Sequence, residues 1–367
     1  MTRTKLIHAA LSGAASLAFA LAPAMAATAS NDTTGADSNN EAEVEIKNDI
    51  TILQENELRV YNNINVDVNT GDNSASKNTG DGSVKTGDAN SKVDVSTSGN
   101  SNSLSLDGNG SGDYSASNKT TGYDSNNEAE VEVDNDVDVT QSNKASVKNK
   151  IDVDADTGHN DADKNTGDGS VDTGDADVDV IVSNDLNSNE LEIDGLGAAG
   201  DPSASNEETG AESNNEAEVE IKNDVDVLQE NNLEVCNDVD VEVDTGHNSA
   251  DKNTGDGDVT TGDADVNVEV SNSGNSNEAT VDVGVDGDFE ASNETTGFDS
   301  NNEAEVEVDN DVDVTQANSS GVSNNGDIDA DTGHNDSDKN TGDGSTDTGD
   351  SDVDVEVSTD VNSNSLD

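Results

Sequence analysis

Apolar and polar residues alternate in short runs along most of the chain. Val137 and Val139 flank Asp138, and Val178 and Val180 repeat the spacing. A period of two residues puts apolar side chains on one face of a β-strand and acidic ones on the other. Asn, Asp, Gly, Thr and Val are all poor residues for a helix interior, and no period of 3.6 is visible. The pattern therefore predicts an all-β protein.

Turn sequences containing glycine separate these runs at fixed positions. Thr-Gly-Asp-Gly occupies residues 79–82, Thr-Gly-Asp follows at 86–88, and both recur in every later copy of the surrounding sequence. Glycine reaches backbone conformations with positive φ, and Asp side chains cap their own backbone. We therefore expect a corner at each of these positions.

The sequence is built from four copies of one long repeat. The string Ser-Asn-Asn-Glu-Ala-Glu-Val-Glu begins at Ser38, Ser125, Ser213 and Ser300, so successive copies are 87 or 88 residues apart. Odd copies share Leu-Gln-Glu-Asn and even copies share Val-Thr-Gln, which a duplication of a pair of repeats explains. The predicted repeats cover residues 33–119, 120–207, 208–294 and 295–367, and the last one lacks its final segment.

Each copy divides further into segments of about 22 residues, the first of which covers Thr34–Asn56 and ends in turn residues, and each segment holds one short alternating run. One short strand per segment, with corners at fixed offsets, is typical of a β-solenoid. We expect a repetitive β-solenoid with about four coils per 87-residue unit, in which residues such as Asn39 and Asn40 form ladders between coils. Two alternatives fit the same pattern: tandem small β-sandwich units, and a chain that is disordered without calcium.

The start of the chain has the pattern of a secretory signal peptide. Arg3 and Lys5 precede an apolar run from Ile7 to Leu21 that is too short for a stable membrane anchor, and Ala-Met-Ala follows as a cleavage site. No later segment is apolar enough to span a membrane. We therefore expect a protein that is secreted and lies outside the cell or on its surface. The predicted signal peptide covers residues 1–26, and a short linker covers 27–32.

The charge balance removes several classes of function. Against 15 Lys and Arg stand 83 Asp and Glu, for a net charge of −68. Such a polyanion is repelled by nucleic-acid phosphates, so no nucleic-acid partner is expected. Candidate catalytic groups recur with the repeats, whereas an active site is normally unique, so we predict that the protein is not an enzyme. The single Cys236 excludes a disulfide framework and is predicted to be an incidental thiol.

Asp recurs at alternate positions in one loop of the repeat. The second copy reads Asp-Val-Asp-Ala-Asp-Thr-Gly-His-Asn-Asp-Ala-Asp over residues 152–163, with parallels at 240–251 and 327–338. Oxygen ligands on alternate residues around a glycine turn suit a hard cation such as calcium. The candidate calcium ligands are Asp152, Asp154, Asp156, Asp161, Asp163, Asp240, Asp244, Asp251, Asp329, Asp331, Asp336 and Asp338.

In these repeats the chain resembles the secreted acidic repeat proteins of bacterial cell surfaces and, more loosely, the RTX-type calcium-binding β-rolls. The Gly-Gly-x-Gly-x-Asp nonapeptide of the RTX repeats is absent. The resemblance implies a chain that folds when it meets millimolar calcium after export.

A lysine recurs beside the same loop in every copy. Lys77, Lys164, Lys252 and Lys339 each precede Asn-Thr-Gly-Asp-Gly. A lysine at a fixed place can pair with a corner Asp or form an isopeptide cross-link to Asn. The cross-link needs a dry site with a buried acid, so pairing with Asp is the favoured interpretation.

A histidine follows Thr-Gly in the loop of three copies, at His159, His247 and His334, and Asp72 takes its place in the first copy. Regularly spaced histidines could serve as metal ligands. No Cys or second His accompanies any of them, which favours the interpretation that they are solvated.

No atypical capping repeat is visible at either end of the repeat array. Solenoids normally need such caps, because an open coil end is an unpaired strand edge. We therefore expect head-to-tail self-association into filaments. The predicted function is a secreted structural protein that forms or decorates an extracellular fibre, matrix or adhesive surface, with calcium as the stabilising ion and as a bridge to a cell-surface polymer. The alternative is a disordered acidic chain that sequesters cations or templates mineral.

Overall fold

The computed structural model describes residues 2–6, 15–20, 26–107, 113–196, 201–284 and 287–367. Eighteen strands, numbered in chain order, lie in these residues, together with turns and bends but no helix. All strand pairs are parallel. The prediction of an all-β protein is confirmed.

Among the described residues the strands are of four kinds; the first three repeats contribute all four, the fourth has no closing strand, and one further closing strand lies before the first repeat. The long strands are β4 (Asn39–Asn69), β8 (Asn126–Asp156), β12 (Asn214–Asp244) and β16 (Asn301–Asp331). Short corner strands follow them as β5 (Gly82–Lys85), β9 (Gly169–Asp172), β13 (Gly257–Thr260) and β17 (Gly344–Asp347). The return strands are β6 (Ala89–Asp107), β10 (Ala176–Asp194), β14 (Ala264–Asp282) and β18 (Ser351–Leu366). The closing strands are β3 (Ala27–Asp32), β7 (Tyr114–Lys119), β11 (Ser203–Glu207) and β15 (Glu290–Glu294).

The strands pair between repeats. Asn39 of β4 lies beside Asn126 of β8, which lies beside Asn214 of β12, and this register continues to Asn301 of β16. Strands of one kind thus form one sheet, and in the described residues no strand pairs with another of its own repeat. The predicted repetitive β-solenoid is confirmed, and the alternative of tandem β-sandwich units is wrong.

The coil itself is four times larger than the sequence analysis predicts. Each 87-residue repeat is one coil, and the segments of about 22 residues are sides of that coil. The expected break near Asn56 does not form, because this residue lies inside β4 with its side chain buried. Its amide donates to Oδ1 of Asn102 on the opposite side of the coil and to Oδ1 of Asn143 in the next coil, at 2.8 and 3.0 Å. Polar residues that suggested turns therefore build the interior.

The coil is flattened, and its long strand packs against the return and closing strands. Near its start β4 packs on β7 in a cluster that includes Ala42 and Tyr114. In its middle β4 packs on β6 in a cluster that includes Ile52 and Leu104. The alternation of exposed and buried residues along β4 begins at its first residues, as its sequence pattern predicts. The core is thus a thin apolar layer between two faces of each coil.

Asparagine ladders run through the stack. Nδ2 of Asn40 donates to Oδ1 of Asn127 at 2.7 Å, and Asn127 donates to Asn215 in the same way. Another ladder joins Asn102 to Asn189 at 2.9 Å. The predicted ladders are confirmed, with partners 87 or 88 residues apart. Among the described residues every buried side-chain amide has a hydrogen-bond partner, which offsets the cost of taking these groups out of water.

The corner glycines do not supply the positive-φ conformations that the sequence predicts for them. Gly80 and Gly87 lack a positive φ. Instead, the left-handed positions are Asp72 with φ 57° and Lys77 with φ 63°. At Gly122 the requirement is space, because a Cβ there would overlap the carbonyl oxygen of Gly35 in the preceding coil. Coils that stack backbone on backbone leave no room for a side chain at such points.

The second copy is one residue longer than the first, and the structure locates the extra residue. Asp194 pairs with Asp107, which is 87 residues earlier, whereas Ser203 pairs with Ser115, which is 88 residues earlier. The insertion therefore lies in the connection between β10 and β11, and the strands on either side keep their register.

Two segments of the predicted signal peptide also pair with the first coil. Strands β1 (Thr2–Leu6) and β2 (Ala15–Ala20) lie parallel to β4 and β6. This pairing belongs to the full-length chain, and the removal of residues 1–26 stays a prediction. Within the described residues, no helix has the length and hydropathy needed to cross a membrane.

Candidate functional site

The acidic loop forms the corner between the long strand and the short corner strand of each coil. In the second coil, Oδ1 of Asp156 accepts a hydrogen bond of 2.7 Å from the backbone N–H of Gly158. Nδ2 of Asn160 donates to the carbonyl of Thr157 at 2.8 Å, which closes the turn. The backbone N–H of His159 donates to Gly246 of the next coil at 3.0 Å. Local capping and stacking together fix the corner.

Four of the predicted calcium ligands lie on the long strands, before the corner, and their side chains are on the outer face. Asp154 of β8 lies between Asp67 of β4 and Glu242 of β12. Burial, followed by the charge of Asp67, raises the pKa of Asp154. The column therefore holds carboxylates that repel one another across the coil spacing. The four residues are Asp152, Asp154, Asp240 and Asp329.

Three more predicted ligands are caps of the corner glycine. In each, Oδ1 accepts from a backbone N–H two residues later at 2.6 to 2.7 Å, which leaves Oδ2 for other partners. Burial raises the pKa of Asp156, whereas the hydrogen bond from Gly333 lowers that of Asp331. The caps are Asp156, Asp244 and Asp331.

The remaining predicted ligands join neighbouring coils. Oδ1 of Asp163 accepts from the backbone N–H of Asp251 at 2.7 Å, and Oδ1 of Asp251 accepts from the N–H of Asp338 at 2.5 Å. Asp161 and Asp336 each form a parallel β-bridge with Ser249 between them. These residues therefore have a structural role in the stack.

The structure thus arranges the predicted ligands in columns and does not gather those of one loop around a common point. Among the described residues, three or more His, Cys, Asp or Glu ligand atoms lie within 4.8 Å of one another at only two places, and each combines one Asp with two His. Of the predicted calcium ligands, these places include Asp244 and Asp331. Calcium binding by the acidic columns stays a prediction.

The two places belong to a stack of imidazole rings along the corner. The rings of His159 and His247 are parallel within 3°, with centroids 4.8 Å apart, and those of His247 and His334 lie 4.7 Å apart at 9°. Nδ1 of His247 lies 3.0 Å from Oδ2 of Asp244, and Nδ1 of His159 lies 3.8 Å from the same oxygen. Histidines of different repeats therefore converge on shared carboxylates.

The sequence of a single loop does not predict this convergence, because no loop contains a second histidine. The second histidine lies one coil away, 88 residues later in the case of His159 and His247. The available signal was the agreement between the spacing of the histidines and the period of the repeat.

The predicted pairing of the recurrent lysines with corner Asp residues is present in the two middle coils. Nζ of Lys252 lies 3.2 Å from Asp251, and Nζ of Lys164 lies 3.9 Å from Asp163. All four lysines of this column have positive φ, between 60 and 63°.

Cys236 is half-buried on β12 and lies beside Lys148 and Ser323 in the neighbouring coils.

A second acidic surface lies at the start of the long strands. Glu130 lies between Glu43 and Glu218 of the adjacent coils. Burial, together with the charges of Glu218 and Glu43, raises the pKa of Glu130 to about 7. Part of this surface is neutralised by Lys47, whose Nζ lies 2.9 Å from Glu45 and 3.8 Å from Glu132.

The fold and its columns define a parallel β-solenoid with one repeat per coil. Comparison with known protein families, curated proteins and solved structures finds no match for the chain.

Proposed function

We propose that the protein is an exported structural solenoid that forms or decorates an extracellular fibre, matrix or adhesive surface. The observation that carries the proposal is the stacking of like residues in columns, such as Asn40, Asn127, Asn215 and Asn302. A column of repeated groups gives rigidity and length, whereas catalysis normally needs a unique constellation. The basic and apolar leader at residues 1–26 supports export.

Self-association is proposed at the edge formed by β16 and β18. Within the described residues, these strands pair only with β12 and β14. Val355 of β18 is 48% exposed, whereas Val268, its partner in β14, is 2% exposed. An edge with free backbone groups and exposed apolar residues is a template for another strand. We propose the first coil of a second copy as its occupant, because that coil has the same columns and its edge is open once residues 1–26, which include β1 and β2, are removed.

Calcium is proposed as the ion that permits this stacking. Each added coil places carboxylates over carboxylates, as at Asp67, Asp154 and Glu242. The raised pKa of Asp154 and of Glu130 reflects burial and this like-charge repulsion. A divalent cation between coils offsets the repulsion and supplies the oxygen-rich coordination that calcium prefers.

The first test is far-UV circular dichroism of the mature chain, residues 27–367, titrated with calcium after chelation, with light scattering from the same sample. We expect β structure to strengthen near millimolar calcium, and scattering to rise with it. A chain that stays disordered at all calcium concentrations would favour the cation-sequestering polyanion instead. Full β structure in chelator without any response to calcium would remove calcium from the proposal.

A matched pair of variants tests the edge. Val355 points into the coil and Asp354 points outward on the same strand. We expect Val355→Asn to reduce calcium-induced scattering, because the added coil would have to bury an amide without a partner. Asp354→Asn should leave scattering intact or raise it. Equal scattering for both variants would contradict assembly through this edge.

Export needs a separate test. Mass spectrometry of the chain in the culture medium would show whether the protein is exported and whether residues 1–26 are removed.

A further inference from the structure

The corner of the solenoid holds a column whose chemistry differs from that of the acidic surfaces around it. Asp72, His159, His247 and His334 occupy equivalent positions and share a left-handed backbone, with φ between 55 and 58°. Because the backbone is the same in all four coils, the three imidazoles leave it in the same direction. The ring spacings of 4.8 and 4.7 Å match the rise of about 4.8 Å between strands.

We propose that this column binds one divalent transition-metal ion of the zinc, nickel or copper type, held by two histidines of successive coils and the aspartate between them. The two ligand sets are His159, Asp244 and His247, and His247, Asp331 and His334. The proposal is independent of calcium binding and of fibre formation.

The donor atoms indicate which ion fits. Each set offers two imidazole nitrogens and one carboxylate oxygen. Calcium takes six to eight oxygen ligands, whereas imidazole suits zinc, copper and nickel. Two histidines and a carboxylate leave a coordination position for water, as in open zinc sites.

The aspartates are held in place for this role. Oδ1 of Asp244 is fixed by the backbone N–H of Gly246 at 2.7 Å, and Oδ1 of Asp331 by that of Gly333 at 2.6 Å. The second oxygen of each then faces the histidines, at 3.0 Å from His247 and 3.2 Å from His334. Ligands oriented by hydrogen bonds to the backbone lose less freedom when an ion binds.

The imidazoles have the freedom to close on an ion. Side chains of His159, His247 and His334 are 47%, 41% and 72% exposed. Within each ligand set the ligand atoms lie within 4.8 Å of one another, whereas ligands bonded to one ion at about 2.0–2.1 Å must lie within roughly 4 Å. Rotation of exposed side chains supplies the difference without a change in the backbone.

The two sets share His247, so they compete. A chain can therefore hold one ion with two histidines, in one set or in the other, and His247 is a ligand in either case. Loss of His159 or His334 leaves one complete set, whereas loss of His247 leaves none. This asymmetry distinguishes a defined site from general attraction of cations to an acidic surface.

The test is isothermal titration calorimetry of the untagged full chain with zinc chloride in buffer that contains excess calcium. We expect one zinc ion per chain. His159→Asn and His334→Asn should each halve the association constant, whereas His247→Asn should lower it at least tenfold. Asn is the substitute because it tolerates a left-handed backbone. Asp161→Asn is the matched control, because it removes a carboxylate from the same loop but no proposed ligand, and its binding should not change.

A gain of capacity gives a second, independent test. Asp72→His extends the column by one ring and, with Asp156 and His159, completes a further set that does not share a ligand with His247, Asp331 and His334. We expect the stoichiometry to rise from one zinc ion to two. Zinc affinity that is unaffected by His247→Asn, or a stoichiometry that stays at one in Asp72→His, would overturn the proposal. Circular dichroism of each variant confirms that the fold is retained.

Discussion

Nε2 of Gln141 donates a hydrogen bond of 2.7 Å to Oε1 of Gln54, which lies 87 residues earlier and one coil away. The same amide donates at 3.0 Å to the carbonyl of Glu190 on the opposite side of the coil. Gln229 repeats both bonds, to Gln141 at 2.8 Å and to Glu278 at 2.9 Å. One column of glutamines therefore joins successive coils to each other and joins the two faces within each coil.

Removal of one amide from this column should be costly. In Gln141→Leu, the carbonyl of Glu190, Oε1 of Gln54 and Nε2 of Gln229 all lose a partner. Nε2 of Gln229 keeps its bond to Glu278, so two buried acceptors are left unsatisfied; at about 1–3 kcal/mol each, we expect a loss of about 2 kcal/mol or more in the free energy of unfolding by urea. Gln316→Leu is the control, because Gln316 is half-buried in the last coil and water can replace its bonds. An equal loss in both variants would contradict a specific role for the buried ladder.

A hydroxyl in the first coil is a point where stability can be gained. Oγ of Ser91 is buried without a hydrogen-bond partner, and the residue beside it in the second coil is Val178. Ser91→Val should raise the free energy of unfolding by about 1 kcal/mol, because a buried unpaired hydroxyl is replaced by apolar groups. The exposed Ser96 provides the control, and Ser96→Val should change stability by less than about 0.5 kcal/mol.

The close approach of coils at the glycine columns gives another matched pair. A Cβ on Gly122 would overlap Gly35, whereas a Cβ on Gly35 would meet nothing within 4 Å. We expect Gly122→Ala to lower the free energy of unfolding by about 1–3 kcal/mol, the usual cost of overpacking. Gly35→Ala should be nearly neutral. Thermal melts of the two variants at the same salt concentration would compare their stabilities. If Gly122→Ala left stability unchanged, the coils would separate easily at this corner.

Stability should fall as pH rises through neutrality. The pKa of Glu130 is raised to about 7 from 4.5, so the folded chain holds a proton that the unfolded chain releases. The stabilising effect of this proton is complete below about pH 4.5 and is lost as pH rises through about 7. Urea midpoints at low salt should therefore decrease between pH 5 and 8, and Glu130→Gln should flatten the profile. A decrease of the same size in Glu130→Gln would assign the effect to other carboxylates.

Local pattern predicted the character of the fold but not the size of its coil. The alternation at Val178 and Val180 indicated buried strand faces, and both residues are fully buried. Asn56 suggested a turn because its side chain is polar, and sequence alone does not show that Asn102 and Asn143 supply its hydrogen bonds. Turn residues and ladder residues have the same composition, so only the long register distinguishes them.

The candidate site could also be predicted only in part from the local sequence. The acidic loop is visible in the sequence, where alternate carboxylates around a glycine turn predict a calcium site, but the contacts between loops of different repeats are not. The stack of His159 and His247 depends on the register between coils, which places residues 88 positions apart in contact. A search for ligands at the period of the repeat would have found it.

The register between coils also bears on how such a gene changes length. Because strands of one kind stack only on strands of the same kind, while odd and even copies differ, unequal crossing-over that adds or deletes a pair of repeats keeps the alternating junctions that the protein already has. The extra residue of the second copy lies in the connection between β10 and β11, where the flanking pairs of Asp194 and Ser203 are undisturbed. Recombination can therefore lengthen or shorten the product in steps of two coils, and a small insertion at that connection does not affect the step.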